Sequence, residues 1–532
     1  MIGVLVNPEQ YSSVREFFEL FKTPWELYRT GRDYDVLICS ASASAHCSPA
    51  KLTLVYSGQR LPFDDSEGFD STPHLNGNRM LLADGRRMPI YGNLLTFEAD
   101  GFLLDEDSHR PAAYLTTHRD GNPVVRIGYD LFAEVAYLLS EGQPVANSSI
   151  PSIELHASIL RNLILDHGVS LVEIPPVPKG YDFIACLTHD VDHPSIRQHG
   201  FDHTMFGFVY RALVGSLFAL VRGTASVRML LTNWIAVLKL PFVYLGVTRD
   251  FWNSLAHYSE LEGGARSTFF VIPFKGRAGQ LGGHEAPSFR ASGYGAADIA
   301  SQIHDLLAKG NEIGLHGIDS WNDLSKAREE LDELRRITSL QNVGVRMHWL
   351  YFEMESPKIL EEAGVAYDST VGFNEAIGYR AGTTQVYKPL NATKMLELPL
   401  HIMDTALFLS GRQNLSSGEA KNRVDAIIDN AVRFGGVVTV NWHDRSIVPE
   451  RMWDEFYINL LSDLRTRGAW LASAGETVRW FRMRRSATFD DAGRVAATSN
   501  AVDDYKGLPE LSVQVQSARP YSGRQDRTGV AR

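Results

Sequence analysis

The chain has 532 residues, of which 44% are hydrophobic and 22% are charged, an ordinary composition for a globular protein. This length predicts two to four domains, because a domain usually contains about 100–200 residues. The formal net charge of −11 argues against a general nucleic-acid-binding protein, which would present a basic surface. Cys39, Cys47 and Cys186 form no C-x-x-C pair, so neither a zinc ribbon nor a disulfide framework is predicted.

Residues 1–175 are predicted to form an N-terminal α/β domain, whose role the sequence does not indicate. Ile2–Val6 is predicted to be a strand rather than a signal peptide, because no basic segment precedes a long apolar one, and a cytoplasmic location is therefore expected. The other elements predicted here are the strands Asp35–Cys39 and Leu52–Tyr56 and the helices Tyr129–Ser140 and His156–His167. Three prolines within residues 174–178 mark the domain boundary.

From residue 181 to residue 485 the sequence alternates between strand and helix patterns. The predicted buried strands are Phe183–Leu187, Ser267–Ile272, Glu312–His316 and Gly436–Trp442. The predicted helices are Ala297–Lys309, Ser325–Ser339, Pro357–Ala363 and Lys421–Phe434. This alternation predicts a parallel sheet or a (β/α) barrel, in which the chemistry takes place at the carboxyl ends of the strands.

Two segments depart from the alternation. Residues 203–247 contain a helical apolar stripe and a second apolar stretch, Met229–Val247. Neither reaches about 18 uninterrupted apolar residues, so a helical insertion packed on the barrel is expected rather than a transmembrane helix. The alternative is a peripheral membrane contact that brings the site near a lipid-linked substrate. Residues 490–532 are polar and are predicted to form a mostly disordered tail.

The most informative segment follows the strand Phe183–Leu187 and reads Thr188-His189-Asp190-Val191-Asp192. Residues two apart on a strand share one face, so the carboxylates of Asp190 and Asp192 are expected side by side. They repel each other, and one pKa rises unless a cation or an arginine compensates. The pair suits a site in which one aspartate binds a metal ion and the other accepts a proton.

Four further segments follow in the order Glu312–Trp321, Gly344–Trp349, Leu396–Asp404 and Val438–Asp444. With Ser267–Val271 and Gly364–Thr370, the five segments resemble the polysaccharide deacetylase (NodB-homology) family over residues 181–485. The segment His189–Asp192 and the Arg-x-His-Trp-Leu segment look most like a bacterial subgroup with an extra N-terminal domain, often associated with surface-glycan synthesis. The resemblance implies a distorted (β/α) barrel and metal-dependent hydrolysis of an N- or O-acetyl group on a carbohydrate.

The resemblance also implies roles for individual residues. Asp190 matches the general base, Asp192 matches a metal ligand and His316 matches the first metal-binding histidine. Arg346 matches the arginine that keeps the base charged, and His443 matches the histidine that protonates the leaving group.

The sequence departs from the family pattern four residues after His316, where Ser320 stands in place of a second metal-binding histidine. Serine is a poor zinc ligand, so His348 is the preferred third ligand, with the carboxylate of Asp319 as the alternative. Asp404 is predicted to orient His443. The expected cofactor is a divalent metal ion, zinc first, with cobalt or nickel as alternatives.

Three functions compete at this point. The leading hypothesis is a cytoplasmic carbohydrate deacetylase that acts on a sugar nucleotide or a lipid-linked glycan precursor, with the inner face of the membrane as an alternative location. The second is an amidohydrolase acting on a non-carbohydrate C–N bond. The third is a degenerate barrel that binds glycans or scaffolds a synthesis complex, and Ser320 is its best support. His189, His193 and His401 are expected at most to contact the site residues, without binding the metal ion or the substrate themselves. Arg380 is a candidate for binding an anionic substrate group.

Overall fold

The computed structural model describes residues 1–40, 50–67, 70–75, 77–117, 121–221, 226–490, 493–496 and 505–519. Two of the three cysteines, Cys39 and Cys186, are buried free thiols, whereas Cys47 lies outside the described residues.

The first 127 residues build a nine-stranded mixed sheet and a separate two-stranded one. Their strands are β1 (Ile2–Leu5), β2 (Trp25–Leu27), β3 (Val36–Ser40), β4 (Leu52–Tyr56), β5 (Ser71–His74), β6 (Arg79–Ala83), β7 (Arg86–Ile90), β8 (Leu94–Phe97), β9 (Gly101–Asp105), β10 (Pro111–Thr117) and β11 (Pro123–Ile127). The order β2-β1-β3-β4-β11 is parallel, the order β11-β10-β9-β6-β7 is antiparallel, and β5 pairs with β8. The sequence predicts β1, β3 and β4 but not the antiparallel half, because charged residues such as Arg79, Arg86 and Arg87 interrupt its apolar pattern.

Four helices accompany this sheet, namely α1 (Tyr11–Phe21), α2 (Pro62–Glu67), α3 (Leu131–Ser140) and α4 (Ser152–Asp166). The rings of Phe17 on α1 and Phe132 on α3 meet edge to face at 5.9 Å in the core beneath the sheet. Helix α3 begins where the Asp130 carboxylate accepts hydrogen bonds from the backbone amides of Phe132 and Ala133. The predicted helix at His156–His167 is present as α4, which begins four residues earlier, directly after a proline.

A second, curled sheet of seven parallel strands follows the short strand β12 (Leu171–Glu173). The seven strands of this sheet are β13 (Phe183–Val191), β14 (Thr268–Val271), β17 (Glu312–Gly317), β18 (Val345–Met347), β19 (Ile402–Met403), β20 (Val437–Asn441) and β21 (Ala469–Ala472). Between β14 and β17 the strands β15 (Gln280–Leu281) and β16 (His284–Glu285) form a separate small hairpin. The order is β18-β17-β14-β13-β20-β19, and β21 also pairs with β13. This half-barrel confirms the predicted fold class, and all four strands predicted after residue 181 are present.

Helices connect the strands of the half-barrel, and the hydrophobic core lies between these two layers. They are α5 (His203–Tyr210), α6 (Ser216–Val221), α7 (Val227–Tyr244), α8 (Leu255–Leu261), α9 (Ala300–Ala308), α10 (Leu324–Thr338), α11 (Ser356–Ala363), α12 (Asp404–Phe408), α13 (Ser417–Phe434), α14 (Asp454–Thr466) and α15 (Ala474–Ser486). Side-chain caps fix several helix starts, as where Ser416 and Glu419 form a capping box at α13.

The insertion between β13 and β14 folds as a helical hairpin. One π-helical turn, Arg211–Gly215, joins α5 to α6, so the first arm is a continuous helix of 19 residues, and α7 forms the second arm of 18 residues. Both arms are long and apolar enough to cross a membrane by length and composition. Neither arm is an uninterrupted apolar run, because Arg211 lies in the first arm and Arg228 and Lys239 lie in the second.

A buried arginine at the end of α15 joins the two sheets. The Arg484 guanidinium is 1% exposed and donates to the backbone carbonyls of Glu19, Leu20 and Ile174 and to the side-chain oxygen of Gln385. These contacts connect α1, the segment after β12 and the barrel through one side chain.

The predicted disordered tail is partly structured. Past α15 the described strands are β22 (Thr488–Phe489), β23 (Val495–Ala496) and β24 (Gln514–Gln516). Strand β24 pairs antiparallel with β12, and the amide of Arg519 donates to the carbonyl of Leu165. Residues 505–519 are therefore structured where the sequence predicts disorder. Main-chain pairing with an exposed strand edge stabilises this segment although it has few apolar side chains. Residues 491–492, 497–504 and 520–532 of the predicted tail lie outside the described residues.

Candidate active site and metal centre

Asp190 lies at the carboxyl end of β13 in a fully buried position. Its Oδ1 accepts a hydrogen bond from Arg346 Nη1 at 3.0 Å, and its Oδ2 accepts one from Asn441 Nδ2 at 2.7 Å. Arg346, on β18, is fixed in turn by Thr188 Oγ1 at 2.7 Å and by the carbonyl and hydroxyl of Ser369. Burial raises the pKa of Asp190, but the charges of Arg346, His316 and His443 together hold that pKa below its ordinary value. Asp190 is therefore a positioned, ionised carboxylate.

Asp192 follows β13 directly and faces two imidazoles. His316 Nε2 lies 3.4 Å and His348 Nε2 lies 3.7 Å from Asp192 Oδ1, and one ligand atom from each of the three residues lies within 4.8 Å of the others. A tetrahedral zinc site with bonds of about 2.1 Å places its ligand atoms about 3.4 Å apart. Asp192 Oδ1 is a buried acceptor without a hydrogen-bond partner among the described residues. The donor set of one carboxylate and two imidazoles therefore fits a divalent metal ion.

The environment of the two histidines suits metal binding. His316 Nδ1 lies 2.9 Å from the carbonyl oxygen of Arg346, which makes Nδ1 the donor and leaves the Nε2 lone pair for a cation. Burial lowers the pKa of His348 to about 3, so its imidazole is neutral, as a ligand must be. The next residues, Trp349 and Leu350, have φ angles of 68° and 56°. Such angles are strained for large side chains and are found at positions that the surrounding structure over-determines.

The loop after β17 explains what Ser320 and Asp319 do. Ser320 donates to the carboxylate of Glu330, a buried residue of α10 that also accepts the amides of Ile318 and Asp319 at 2.9 and 2.8 Å. Asp319 accepts from the amide of Gln280 at 2.7 Å and pairs with Lys326 at 3.0 Å. Both alternative ligands are therefore engaged elsewhere, and His348 is the residue that the fold brings to Asp192 and His316.

His443 and Asp404 form a second pair on the opposite side of the cleft. His443 follows β20, and its Nδ1 lies 2.6 Å from Asp404 Oδ1 at the start of α12. Asp404 Oδ2 accepts the backbone amide of His443 at 2.7 Å and the hydroxyl of Ser446. Although burial lowers it, the Asp404 carboxylate raises the pKa of His443 to about 9. His443 Nε2 faces the cleft, 3.9 Å from Asp192 Oδ2.

One cleft of about 170 Å³ at the carboxyl ends of the strands is lined by Asp190, Asp192, His316, His348 and His443. Its remaining walls include Trp349, Leu350, Met403 and Leu409 and the basic side chains of Arg412, Arg445 and Arg451. The indole of Trp349 offers an aromatic face against which a sugar ring can pack. The cleft thus brings together a cluster that could hold a metal ion, a buried ionised carboxylate and an imidazole whose pKa is raised.

The other candidate residues have structural partners. His189 bridges the carbonyl of Trp442 and Glu262 Oε1 at 2.8 and 2.7 Å inside the barrel. His401 lies between the backbone of Thr383 and Thr439. The backbone amide of His193 contacts Asp444 in the cleft wall at 2.8 Å. Arg380 donates to the carbonyl of Gly372, and its own carbonyl accepts the amide of Gln143, so it takes part in the contact between the two sheets.

Three positioning residues were missed by the sequence reasoning. Asn441 orients Asp190, and Glu330 holds the loop after His316. Arg290, which is 1% exposed, donates to the carbonyls of His348 and Ile318 at 2.8 and 3.0 Å and so ties the two metal-binding segments together. Asn441 stands in a quoted motif, two residues before His443, but Arg290 and Glu330 give no signal in the sequence beyond being charged.

Comparisons with known proteins find similarity at the level of solved structures. No family model and no curated protein matches the chain. A protein from Mycobacterium smegmatis, provisionally assigned as a polysaccharide deacetylase, aligns with 17% identity and a TM-score of 0.36 over 58% of this chain and 95% of its own. A Pseudomonas aeruginosa protein with the same kind of assignment has 17% identity and a TM-score of 0.35 over 58% and 94%. A mutant of a CE4-family pseudoenzyme, with restored enzymatic activity, has 11% identity and a TM-score of 0.25 over 57% and 68%.

The third metal ligand can be tested by metal content. His348→Ala is expected to lower the zinc bound by the purified chain at least tenfold, because the loss of one of three protein ligands opens the site. Asp319→Ala is the matched control and is expected to retain zinc at the wild-type level, since its carboxylate pairs with Lys326. Both are measured by elemental analysis after dialysis. Loss of metal in Asp319→Ala, with retention in His348→Ala, would reverse the assignment.

Proposed function

We propose that the chain is a metal-dependent hydrolase that removes an acetyl group from a carbohydrate, such as a glycan precursor or a surface-polysaccharide intermediate. The main observation in favour is the arrangement around the Asp192 cluster. Asp190 Oδ2 lies 3.9 Å from His316 Nε2 on one side, and His443 Nε2 lies 3.9 Å from Asp192 Oδ2 on the other. A base and an acid therefore flank one point at which an acyl carbon can be held.

The residues supply the two proton transfers that hydrolysis needs. When bound, a divalent cation supplies Lewis-acid polarisation of an acyl carbonyl. Asp190, kept ionised by Arg346, accepts a proton from the attacking water as the new C–O bond forms. His443 donates its Nε2 proton to the leaving nitrogen or oxygen as the C–N or C–O bond breaks. Asp404 stabilises the imidazolium and fixes the ring by its contact with Nδ1. The products are acetate and a free amine or alcohol.

The donor set favours zinc, with cobalt or nickel as alternatives. Two imidazoles and one carboxylate suit borderline cations, whereas magnesium and calcium prefer sites made of oxygen ligands.

Among the competing functions, the non-catalytic scaffold loses its best support. Ser320 removes one expected imidazole, but His348 offers another beside Asp192 and His316. Asp190 and His443, to which the proposal gives the roles of base and acid, also have buried partners in Arg346 and Asp404. The amidohydrolase alternative uses the same residues and differs only in the substrate, so a substrate panel separates it from the deacetylase.

The activity test is acetate release by the zinc-loaded chain from a panel of N- and O-acetylated sugars. Asp190→Asn and His443→Ala are each expected to lower kcat about 100- to 10,000-fold, the range for loss of a general base or acid. Asp332→Asn and His257→Ala are the surface controls and are expected to leave kcat unchanged. Release from formamides or cyclic amides alone would favour the amidohydrolase. Absence of all turnover, together with absence of stoichiometric metal, would favour the scaffold.

The pH profile of kcat tests the acid. Activity requires ionised Asp190 and protonated His443. Because the pKa of Asp190 is lowered, the rate is expected to stay high until the pH is acid enough to protonate this carboxylate. Because the pKa of His443 is raised to about 9, the rate is expected to fall again as the pH rises toward that value. Asp404→Asn removes the charge that raises the pKa of His443, so the alkaline limb is expected to move toward neutral pH. An alkaline limb that does not move in Asp404→Asn would contradict the role given to His443.

A further inference from the structure

The helical hairpin at residues 203–247, called the hairpin below, carries the most exposed apolar surface of the described chain. Of the 28 large apolar side chains that are exposed in the described residues, 16 lie between Phe201 and Val247. They include Phe206, Phe218, Leu231 and Leu238, which are between 53% and 73% exposed. A concentration of exposed apolar side chains on one element indicates an interaction surface rather than ordinary surface composition.

Only one face of the hairpin packs on the barrel. Phe208 and Ala212 on the first arm and Ala236, Leu240 and Val243 on the second are buried in the barrel core. The outer faces of both arms carry the exposed residues, so the hairpin lies along the barrel with a free apolar side. An arm fixed along its inner face is placed to lie in a membrane interface, not to cross the bilayer.

The charge of the hairpin contrasts with that of the whole chain. Residues 203–247 contain four lysines and arginines and no aspartate or glutamate, whereas the chain has a net charge of −11. Arg228 and Lys239 are exposed on the second arm. Tyr210, Trp234 and Tyr244 add the aromatic side chains that favour a membrane–water interface. An apolar face bordered by basic and aromatic residues is complementary to an anionic lipid surface.

The hairpin is joined to the wall of the active-site cleft. The Glu450 carboxylate accepts hydrogen bonds from Arg211 in the hairpin and from Arg445 in the cleft wall, and its backbone amide donates to Asn233 at 2.6 Å. Arg445 lies two residues after His443. A surface contacted by the hairpin is therefore held close to the mouth of the cleft.

We propose that the hairpin is a membrane-docking element that lies in the interface of a bilayer rich in anionic lipids. Its outer face enters the boundary between head groups and acyl chains, while Arg228 and Lys239 contact the phosphates. Docking places the cleft at the bilayer surface, where it meets substrates carried on a lipid. This last step rests on the proposed function, whereas the docking itself does not.

The test is co-sedimentation of the purified full chain with lipid vesicles. Strong binding is expected to vesicles of phosphatidylcholine mixed with phosphatidylglycerol, with weaker binding to phosphatidylcholine alone and at high salt. The double variant Phe218→Glu/Leu231→Glu is expected to lose more than tenfold in partitioning. Each of Arg228→Gln and Lys239→Gln is expected to lose about fivefold, because a basic residue near an anionic surface contributes about that factor. Val432→Glu, at an exposed helical valine outside the hairpin, is the matched control and is expected to bind as the wild type does.

Two results would overturn the docking proposal. One is recovery of the wild-type chain in the supernatant with both kinds of vesicle. The other is a stable dimer in light scattering that Phe218→Glu dissociates, which would make a second copy of the chain the occupant of this face. Neither result depends on turnover, so a chain that binds vesicles but releases no acetate would refute the proposed function and leave the docking intact.

A separate observation concerns two arginines in the cleft. Arg412 and Arg451 line it beside Asp192 and His443. Arg412 Nη1 and Arg451 Nε are buried donors that have no hydrogen-bond partner in the described part of the chain. Arg451 Nη1 donates to Ser446 Oγ at 3.3 Å, and the third cleft arginine, Arg445, is paired with Glu450 at 2.7 Å. A buried donor without a hydrogen bond destabilises the folded protein. Such donors on side chains that line a cleft therefore indicate that a ligand supplies the missing acceptor.

We infer that Arg412 and Arg451 form a subsite for an anionic group of the substrate, a phosphate or a carboxylate on or next to the acetylated sugar. Guanidinium groups recognise both by charge-assisted, bidentate hydrogen bonds. This inference deepens the proposed function, because it adds charge to the substrate class.

The subsite is tested by calorimetric titration of the full chain with three probes, N-acetylglucosamine, N-acetylglucosamine 1-phosphate and N-acetylmuramic acid. At least one anionic probe is expected to bind about tenfold or more tightly than the neutral sugar, and the better of the two identifies the group. Arg412→Gln is expected to abolish this preference and Arg412→Lys to restore part of it. Arg433→Gln, at an exposed arginine outside the cleft, is expected to keep it.

Equal affinity for all three probes, or a preference that survives in Arg412→Gln, would overturn the subsite. Binding is measured without turnover. Selective binding of an anionic probe without acetate release would therefore contradict the deacetylase and not the subsite.

Discussion

The site depends on how the end of one buried strand accommodates two carboxylates. Removing an ionised carboxylate from water costs several kcal/mol unless a partner compensates. Asp190 has its partner in Arg346, which is itself fixed by Thr188 and Ser369 on either side. Within the described part of the chain no arginine pairs with Asp192, and its buried Oδ1 faces imidazoles instead. The environments of the two carboxylates therefore differ, because Asp190 is paired with an arginine whereas Asp192 faces two imidazoles.

His348 reaches Asp192 from a different segment than the loop that contains Ser320. An imidazole at residue 320 would come from the loop after β17, whereas His348 comes from the end of the neighbouring strand β18. Adjacent parallel strands end at the same edge, so either can deliver a side chain to the same point. Ser320 itself has a structural role, since its hydroxyl donates to the Glu330 carboxylate, which also accepts hydrogen bonds from the loop backbone. Arg290 then holds both segments together through their carbonyls.

The sequence predicts the central strands well because buried parallel strands are short, continuous apolar runs. It also predicts that Asp190, His316 and His443 meet, because each follows such a run. It does not predict the residues that hold them. Asn441 lies 251 residues from Asp190, and Arg290 lies 58 residues from His348. Contacts over such distances depend on the packing of loops, which no local pattern encodes. The pairing of β24 with β12 cannot be predicted from the sequence for the same reason.

The place at which the hairpin enters the chain is as informative as its composition. The hairpin follows β13 and precedes β14, so it leaves the barrel at the carboxyl ends of the strands, the edge that holds the cleft. An insertion at the other end of the same strands would lie a full strand length away from Asp192. The capping residue of the first arm, Asp202, also contacts His199, which in turn contacts His193 beside the site. Short polar contacts thus fix the hairpin to the cleft wall, and whatever covers its apolar face comes to lie beside the substrate entrance.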